Sequence, residues 1–338
     1  MEGHVAGNLG AAALVLLLAF AAWRVRGSRR GRERFGEIVR RRPWASAVVA
    51  LYLGVALLDS FAWIDAAAPG TVAAPRSLLD RVFPADFGER SYSAPLADAE
   101  FYGGEPLAHP GRHLLGTDIL GRDVLHLALG GARVALLIGG VTSLLAIPLA
   151  IAFGVAAGYF GRRVDDVVFF VLSTLASIPS LLLLVALVMV LGRGTLQVCV
   201  ALAITSWVGF CRVVRGETMK LRELDYVQAA RALGVSDARI LARHVVPNLG
   251  HLVVITFVLT FSQLVLSEAI LSWLGVGIDG SWGQMIDQAR DELARDPVIG
   301  WNLGAASAAL FGLILAVNRL GDAVRDVLDP RTLRERAG

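Results

Sequence analysis

The chain has 338 residues, of which 55% are hydrophobic and only 18% charged, and its mean hydropathy is +0.61. A soluble domain of this size carries about a quarter charged residues, so the composition excludes a water-soluble enzyme and points to an integral membrane protein. The formal net charge is only +3, and the cations sit at the ends of oily stretches, where a membrane protein needs them, so no nucleic-acid partner is implied.

The first apolar stretch runs from Val5 to Trp23. Ala19-Phe20-Ala21 has the form of a signal-peptidase site, but no basic region precedes it and an Arg-rich run follows. The pattern therefore favours a retained helix over a cleaved leader. Residues 24–43 hold nine Arg against Glu33 and Glu37, and the positive-inside rule places this linker in the cytoplasm. Residues 1–43 thus read as an extra N-terminal transmembrane helix plus a linker, for which anchoring to anionic membrane lipid is one role.

Further stretches long enough to cross a hydrocarbon core of about 30 Å run over 44–64, 129–159, 164–191, 196–214, 251–276 and 301–320. Counting from the cytoplasmic linker puts 65–128 outside, 161–163 inside, 192–194 outside, 215–250 inside, 277–300 outside and the tail 321–338 inside. Charge agrees, since 23 of the 32 basic residues fall in or beside the segments assigned to the cytoplasm. The insert 65–128 has nine acidic and five basic residues and six of the twelve prolines, and reads as a loop-rich insert with short helices. The expected organisation is all-α and polytopic, with a first core span at 44–64 and a bundle at 129–320. Pro148 and Pro179 are expected to bend their spans, and Gly154 and Gly158 to permit close helix packing.

One polar segment interrupts the bundle, DYVQAARALGVSDARILARHVVPN from Asp225 to Asn248. Asp225 as N-cap with Gln228 three residues on predicts a capping box and a helix over 226–233. Gly234 supplies a left-handed turn, Ser236 caps a second helix, Val235 and Ile240 form a staple, and Pro247 ends it. The expected product is a helix–turn–helix knob within 215–250.

This segment resembles the cytoplasmic docking loop of permeases in binding-protein-dependent ABC importers. That loop reads Glu-Ala-Ala, then Gly after three residues, then Ile-x-Leu-Pro after nine more. Ala229, Ala230, Gly234 and Pro247 match at this spacing, while Gln228 replaces the Glu, His244 the Ile and Val246 the Leu. HLLGTDILGRDVL from His113 with Gly131-Ala132-Arg133, SEAILSWLGVG from Ser267, SWGQMI from Ser281 and NRLGDAVRDVLDPR from Asn318 resemble the dipeptide and oligopeptide branch of the same permease family. The resemblance implies a type I importer permease fold, six core transmembrane helices to which the N-terminal helix is an addition. It also implies a homologous second permease, two cytoplasmic ATP-binding subunits that hold ATP and Mg, and an extracytoplasmic solute-binding protein. Asp225, Gln228, Ala229, Ala230, Gly234, Ser236, His244 and Pro247 would then couple to the ATPase. The implied function is translocation of peptides or similar small solutes by alternating access, with nickel chelates, opines and sugars left open.

The chain itself is expected to be neither an enzyme nor a cofactor protein. It has no phosphate-cradling Gly-rich loop, and its one Lys, Lys220, follows Met219. His109 and His113 flank Pro110 and Gly111, which disfavours a helical metal site and favours a solvated loop. Cys199 and Cys211 lie about 18 Å apart if helical, too far for a disulfide. Glu268 is ionisable within a span, so it either lines the translocation pathway near an outer gate or caps the helix before the next loop. A channel or secondary transporter with no ATPase is the alternative; it would show paired broken helices or an acidic relay.

Overall fold

The computed structural model describes residues 29–64, 75–83, 88–192 and 194–328, so the expected Val5–Trp23 helix lies outside the described residues. Helices dominate: α1 (Arg29–Arg41), α2 (Pro43–Ser60), α3 (Leu78–Val82), α4 (Val124–Phe160), α5 (Arg162–Ser177), α6 (Ser180–Leu191), α7 (Thr195–Arg222), α8 (Asp225–Ala232), α9 (Asp237–Ile240), α10 (Gly250–Trp273), α11 (Trp282–Leu293) and α12 (Trp301–Leu328). A two-stranded antiparallel hairpin, β1 (Ala62–Ile64) with β2 (Pro75–Ser77), is a small departure from an all-α chain. Among the described residues, five helices are long and apolar enough to span a membrane, and a bent pair makes up to six.

That bent pair is α5 and α6, which meet at 91° where the apolar pattern predicts a single span over 164–191. Pro179 has no N–H to give and its ring drives the preceding residue out of the helical region. Ile178 is accordingly extended, with φ −91° and ψ 130°. Pro148, by contrast, is absorbed within an unbroken α4.

The described residues form two compact units, one falling within 1–136 and 268–323, the other within 137–267 and 324–328. In the first, Trp282 is the largest fully buried side chain among the described residues, 2% exposed. Its indole N–H donates to the Ala128 carbonyl at 2.7 Å, and a Cβ on Gly131 would sit 2.4 Å from the ring. Tyr52 meets the same indole edge-on at 5.8 Å and donates its hydroxyl to the Ala309 carbonyl at 2.8 Å. Ser281 starts α11 by accepting from the Gln284 N–H, and Gly283 leaves room for the α10 backbone at Ala269. Gly131 and Ser281-Trp282-Gly283 are thus one packed joint.

The loop before α4 is tightly built. His113 is 1% exposed, and its ring contacts Asp123 at 2.9 Å and Glu89 at 3.3 Å. Asp118 is fully buried, accepts from the N–H groups of Leu120 and Arg122, and takes the Arg122 guanidinium at 2.9 and 2.7 Å. The solvated-loop expectation for His113 is therefore corrected, because buried charge survives only when paired and hydrogen-bonded. Among the described residues no group of His, Cys and acidic side chains is arranged to hold a metal. Burial works against the Glu89 charge, but the N–H groups of Ala108 and His109 and the His113 ring outweigh it and hold its carboxyl below the usual range.

Glu292 lies 1% exposed in α11, receiving the Asn302 amide at 3.2 Å. Burial first, and then the Asp118 charge, push its carboxyl above the usual range, with Asn302, Tyr92 and Arg295 opposing. A raised folded-state value means the native fold favours the protonated form, so the ionised group destabilises as pH rises from the ordinary glutamate value through the raised one. Glu292→Gln keeps the shape and removes that cost. It is expected to raise the melting temperature at neutral pH, with the gain fading as pH falls through that window in detergent melting curves.

The second unit has a core drawn from α4, α5, α7 and the polar segment, including Ala150, Leu172, Phe210, Val214, Val227, Ile240 and Val245. Gly154 and Gly158 bring α4 against α7, as expected from their spacing. A Cβ at Gly158 would lie 2.6 Å from the Arg215 carbonyl, and one at Gly154 would lie 2.8 Å from that of Cys211. Backbone cannot yield as a side-chain tip can, so Gly158→Leu is expected to cost at least ~1–3 kcal/mol. Gly216→Leu, where a Cβ meets nothing within 4 Å, serves as the control in the same melting assay.

Candidate functional site

The polar segment forms an elbow. α8 begins at Asp225 with Leu224 as its N-cap, and no capping box forms. Asp225 sits inside the first turn, where its charge favours the positive helix end, and Arg231 in the last turn complements the other end. Gln228 reaches back past the helix start and donates its amide to the Arg222 carbonyl at 2.8 Å, which ties α8 to the end of α7. Sequence reasoning placed the N-cap one residue late, because Leu224 takes the extended backbone that an acidic residue ordinarily favours there.

Gly234 is left-handed, with φ +76°. The Val235 N–H bonds the Ala230 carbonyl at 3.1 Å and the Gly234 N–H bonds that of Arg231 at 3.0 Å. This is the full glycine-terminated helix stop, in which the last orphan carbonyls find donors. Ser236 holds the N-cap position of α9, yet its hydroxyl makes no cap bond. Val235 and Ile240 both join the core of the second unit, as a staple requires.

Pro247 does not end the second arm. From α9 the chain passes through a π-helical turn (Leu241–Val245) and a 3-10 turn (Val246–Leu249) into α10, giving one helical run from Asp237 to Trp273. Widening and then tightening the turn lets the helix pass a residue with no N–H. The Asn248 side chain donates to the His244 carbonyl at 2.6 Å and to the Tyr226 hydroxyl at 3.1 Å, and the His244 and Tyr226 rings lie 5.8 Å apart. His244 therefore links the two arms.

Four contacts that sequence reasoning missed brace the elbow and the helix ends beside it. The Tyr159 hydroxyl donates to Asp237 at 2.6 Å, and Arg231 stacks on the Tyr159 ring at 4.9 Å. The Tyr159 contact holds the Arg231 guanidinium above its usual value. Arg222 donates to the Gly158 carbonyl at 2.9 Å, and Arg215 forms a two-pronged pair with Asp165.

Inward, Val227, Ile240, Val245 and Leu249 are buried. Outward, Gln228, Ala229, Arg231, Ala232, Leu233 and Gly234 are exposed, with Ala230 half-buried. Leu233 is 83% exposed at the tip. A small-residue surface crowned by one bare Leu is chemically suited to entering a groove on another protein.

Glu268 is not among these residues. It is buried in the first unit and accepts the Ser272 hydroxyl at 2.6 Å, while that hydroxyl also contacts Ser281 at 3.1 Å.

Residues 150–334 match the family model for the binding-protein-dependent transport system inner membrane component. The chain belongs to that family. This inner-membrane permease is 33% identical over 222 residues to the oligopeptide transport system permease protein OppC of Bacillus subtilis, a match covering 65% of this chain and 72% of that one. It is 36% identical over 222 residues to the glutathione transport system permease protein GsiD of Pectobacterium atrosepticum, covering 65% and 73% respectively. By family, then, the permease is a membrane-embedded component of an ABC importer, and its relatives are permease rather than catalytic subunits. A chain of the MetNI methionine ABC transporter, solved in inward-facing conformations, superposes with a TM-score of 0.48 at 22% identity, covering 60% of this permease and 97% of that chain.

Proposed function

We propose that this permease conducts peptides inward across the cytoplasmic membrane, powered by two separate ATPases that seat on the elbow at 225–248. The observation that carries the reading is the exposed outward face of Gln228, Ala229, Ala232 and Leu233, stiffened by the Gly234 stop. The Arg distribution assigns that face to the cytoplasm, where ATP and Mg would be held by the partners. A homologous second permease would complete the path, and an extracytoplasmic binding protein would deliver the solute. Cargo class follows from the peptide and oligopeptide permeases among its relatives. Motion of the elbow would switch which side the path faces, which is alternating access.

Glu268 fits the end-of-span role better than a pathway wall, since Ser272 already occupies its carboxylate and links it to the start of α11. A Glu268→Gln permease that transports at the wild-type rate would agree with that assignment.

The test of the whole reading is purification of the permease in mild detergent from its native membrane. Co-elution of an ATP-hydrolysing subunit, together with ATP-dependent peptide uptake by the reconstituted complex, is the expected result. Uptake that continues with no ATPase present would favour a channel or secondary transporter instead.

A further inference from the structure

The second unit contains a cleft of about 420 Å³ between α6, α7 and α10, within the roughly 300–1,000 Å³ of small-molecule sites. Its walls include Ser180, Thr205, Ser206, Thr256, Thr260, Gln263 and Ser267, with Leu184, Phe210 and Leu264 between them, and no charged side chain. Hydroxyls and a primary amide concentrated in helices that cross a membrane are costly unless they meet a partner. Ser206 Oγ is buried with no hydrogen-bond partner among the described residues. Thr205 and Ser267 spend their protons on carbonyls of their own helices, which leaves their oxygens as acceptors.

Thr256, Thr260, Gln263 and Ser267 follow one another at steps of four, three and four along α10, so they share one face. From first to last they span about 16 Å at 1.5 Å per residue, roughly the length of five residues of extended chain. Thr256, Thr260 and Gln263 can each both donate and accept, and Ser267 accepts. That matches the alternating N–H and C=O of a peptide backbone, whereas a charged terminus or side chain finds no counter-ion here.

Resting on the peptide-permease reading, we propose that this cleft is a solute subsite that hydrogen-bonds the uncharged backbone amides of the peptide being carried. Ser206, Thr256, Thr260 and Gln263 read the amides without regard to sequence, and the apolar walls between them accept the side chains.

The test uses the complete complex from the native membrane, carrying Thr256→Val, Thr260→Val and Gln263→Leu together. These changes keep shape and remove hydrogen bonds. The wild-type complex is expected to take up radiolabelled di-, tri- and tetra-alanine. The triple variant is expected to assemble normally but raise half-saturation or slow uptake by about tenfold to a hundredfold. As a measurement independent of rate, Gln263→Cys is expected to react with a membrane-impermeant thiol reagent and to be protected by trialanine. The native Cys199 and Cys211 are buried and give little background. Wild-type-like uptake by the triple variant, or a Gln263→Cys variant whose new thiol never reacts or is not protected, overturns the cleft proposal while leaving the peptide reading standing. Absence of uptake of any of these peptides by the wild-type complex overturns the reading beneath it.

Discussion

A Leu233→Asp permease is expected to insert and fold as the wild type does, yet to lose the ATPase proposed to dock on the elbow. The side chain is 83% exposed, so little in its own chain would register the change, and the melting temperature is expected to shift by less than about 0.5 kcal/mol equivalent. In the complex the same position would be desolvated. Losing the burial of a Leu forfeits about 1.5–3 kcal/mol, and forcing an unpaired carboxylate into the same groove adds several more. Together these weaken association by at least about a hundredfold, enough to lose the ATPase from a detergent column and to abolish ATP-dependent uptake. Retained co-elution of Leu233→Asp would remove the elbow tip from the docking surface. Leu233→Met, which preserves bulk and polarity, is expected to behave as wild type.

The second large effect lies in the joint around Trp282. Trp282→Ala removes the indole from its seat on Gly131, forfeits the hydrogen bond to the Ala128 carbonyl and leaves Tyr52 without its ring partner. Such truncations in packed cores cost about 3–5 kcal/mol, so the variant is expected to melt far below the wild type and to accumulate poorly. Gly131→Val attacks the same joint from the other side, where a Cβ already lies 2.4 Å from the ring. The two changes share one volume, so their combination is expected to be much less harmful than the sum of its parts. Additive loss in a double-mutant cycle would mean that the ring and the glycine act independently.

Features set by strong local chemistry were readable from the residues. The spans announced themselves by oil content, and Gly234 by the need for a left-handed residue between two arms. Gly154 and Gly158 gave away a close helix approach by spacing alone. What long-range packing decides was not readable. Pro179 signalled a bend, but the size of the turn depends on what α6 packs against. Pro247 has the chemistry of a stop, yet the π and 3-10 turns and the Asn248 amide carry the helix through it. His113 read as a solvated loop residue because the groups that pair with it, Glu89 and Asp123, are brought around it only by the fold. The stripe from Thr256 to Ser267 stands as polar letters in an apolar span, and its four-three-four spacing marks one helix face. Leu233 carried no sequence signal, since exposure of one Leu among many depends on where the chain turns.

Tyr159 holds Asp237 with its hydroxyl and Arg231 with its ring, one residue on each side of the Gly234 hinge point. A joint held on both limbs resists flexing, so under the proposed coupling a thrust at the tip would pass to the end of α4. If the elbow is the site of coupling, loosening both contacts would leave ATP hydrolysis in the complex running while solute movement fails.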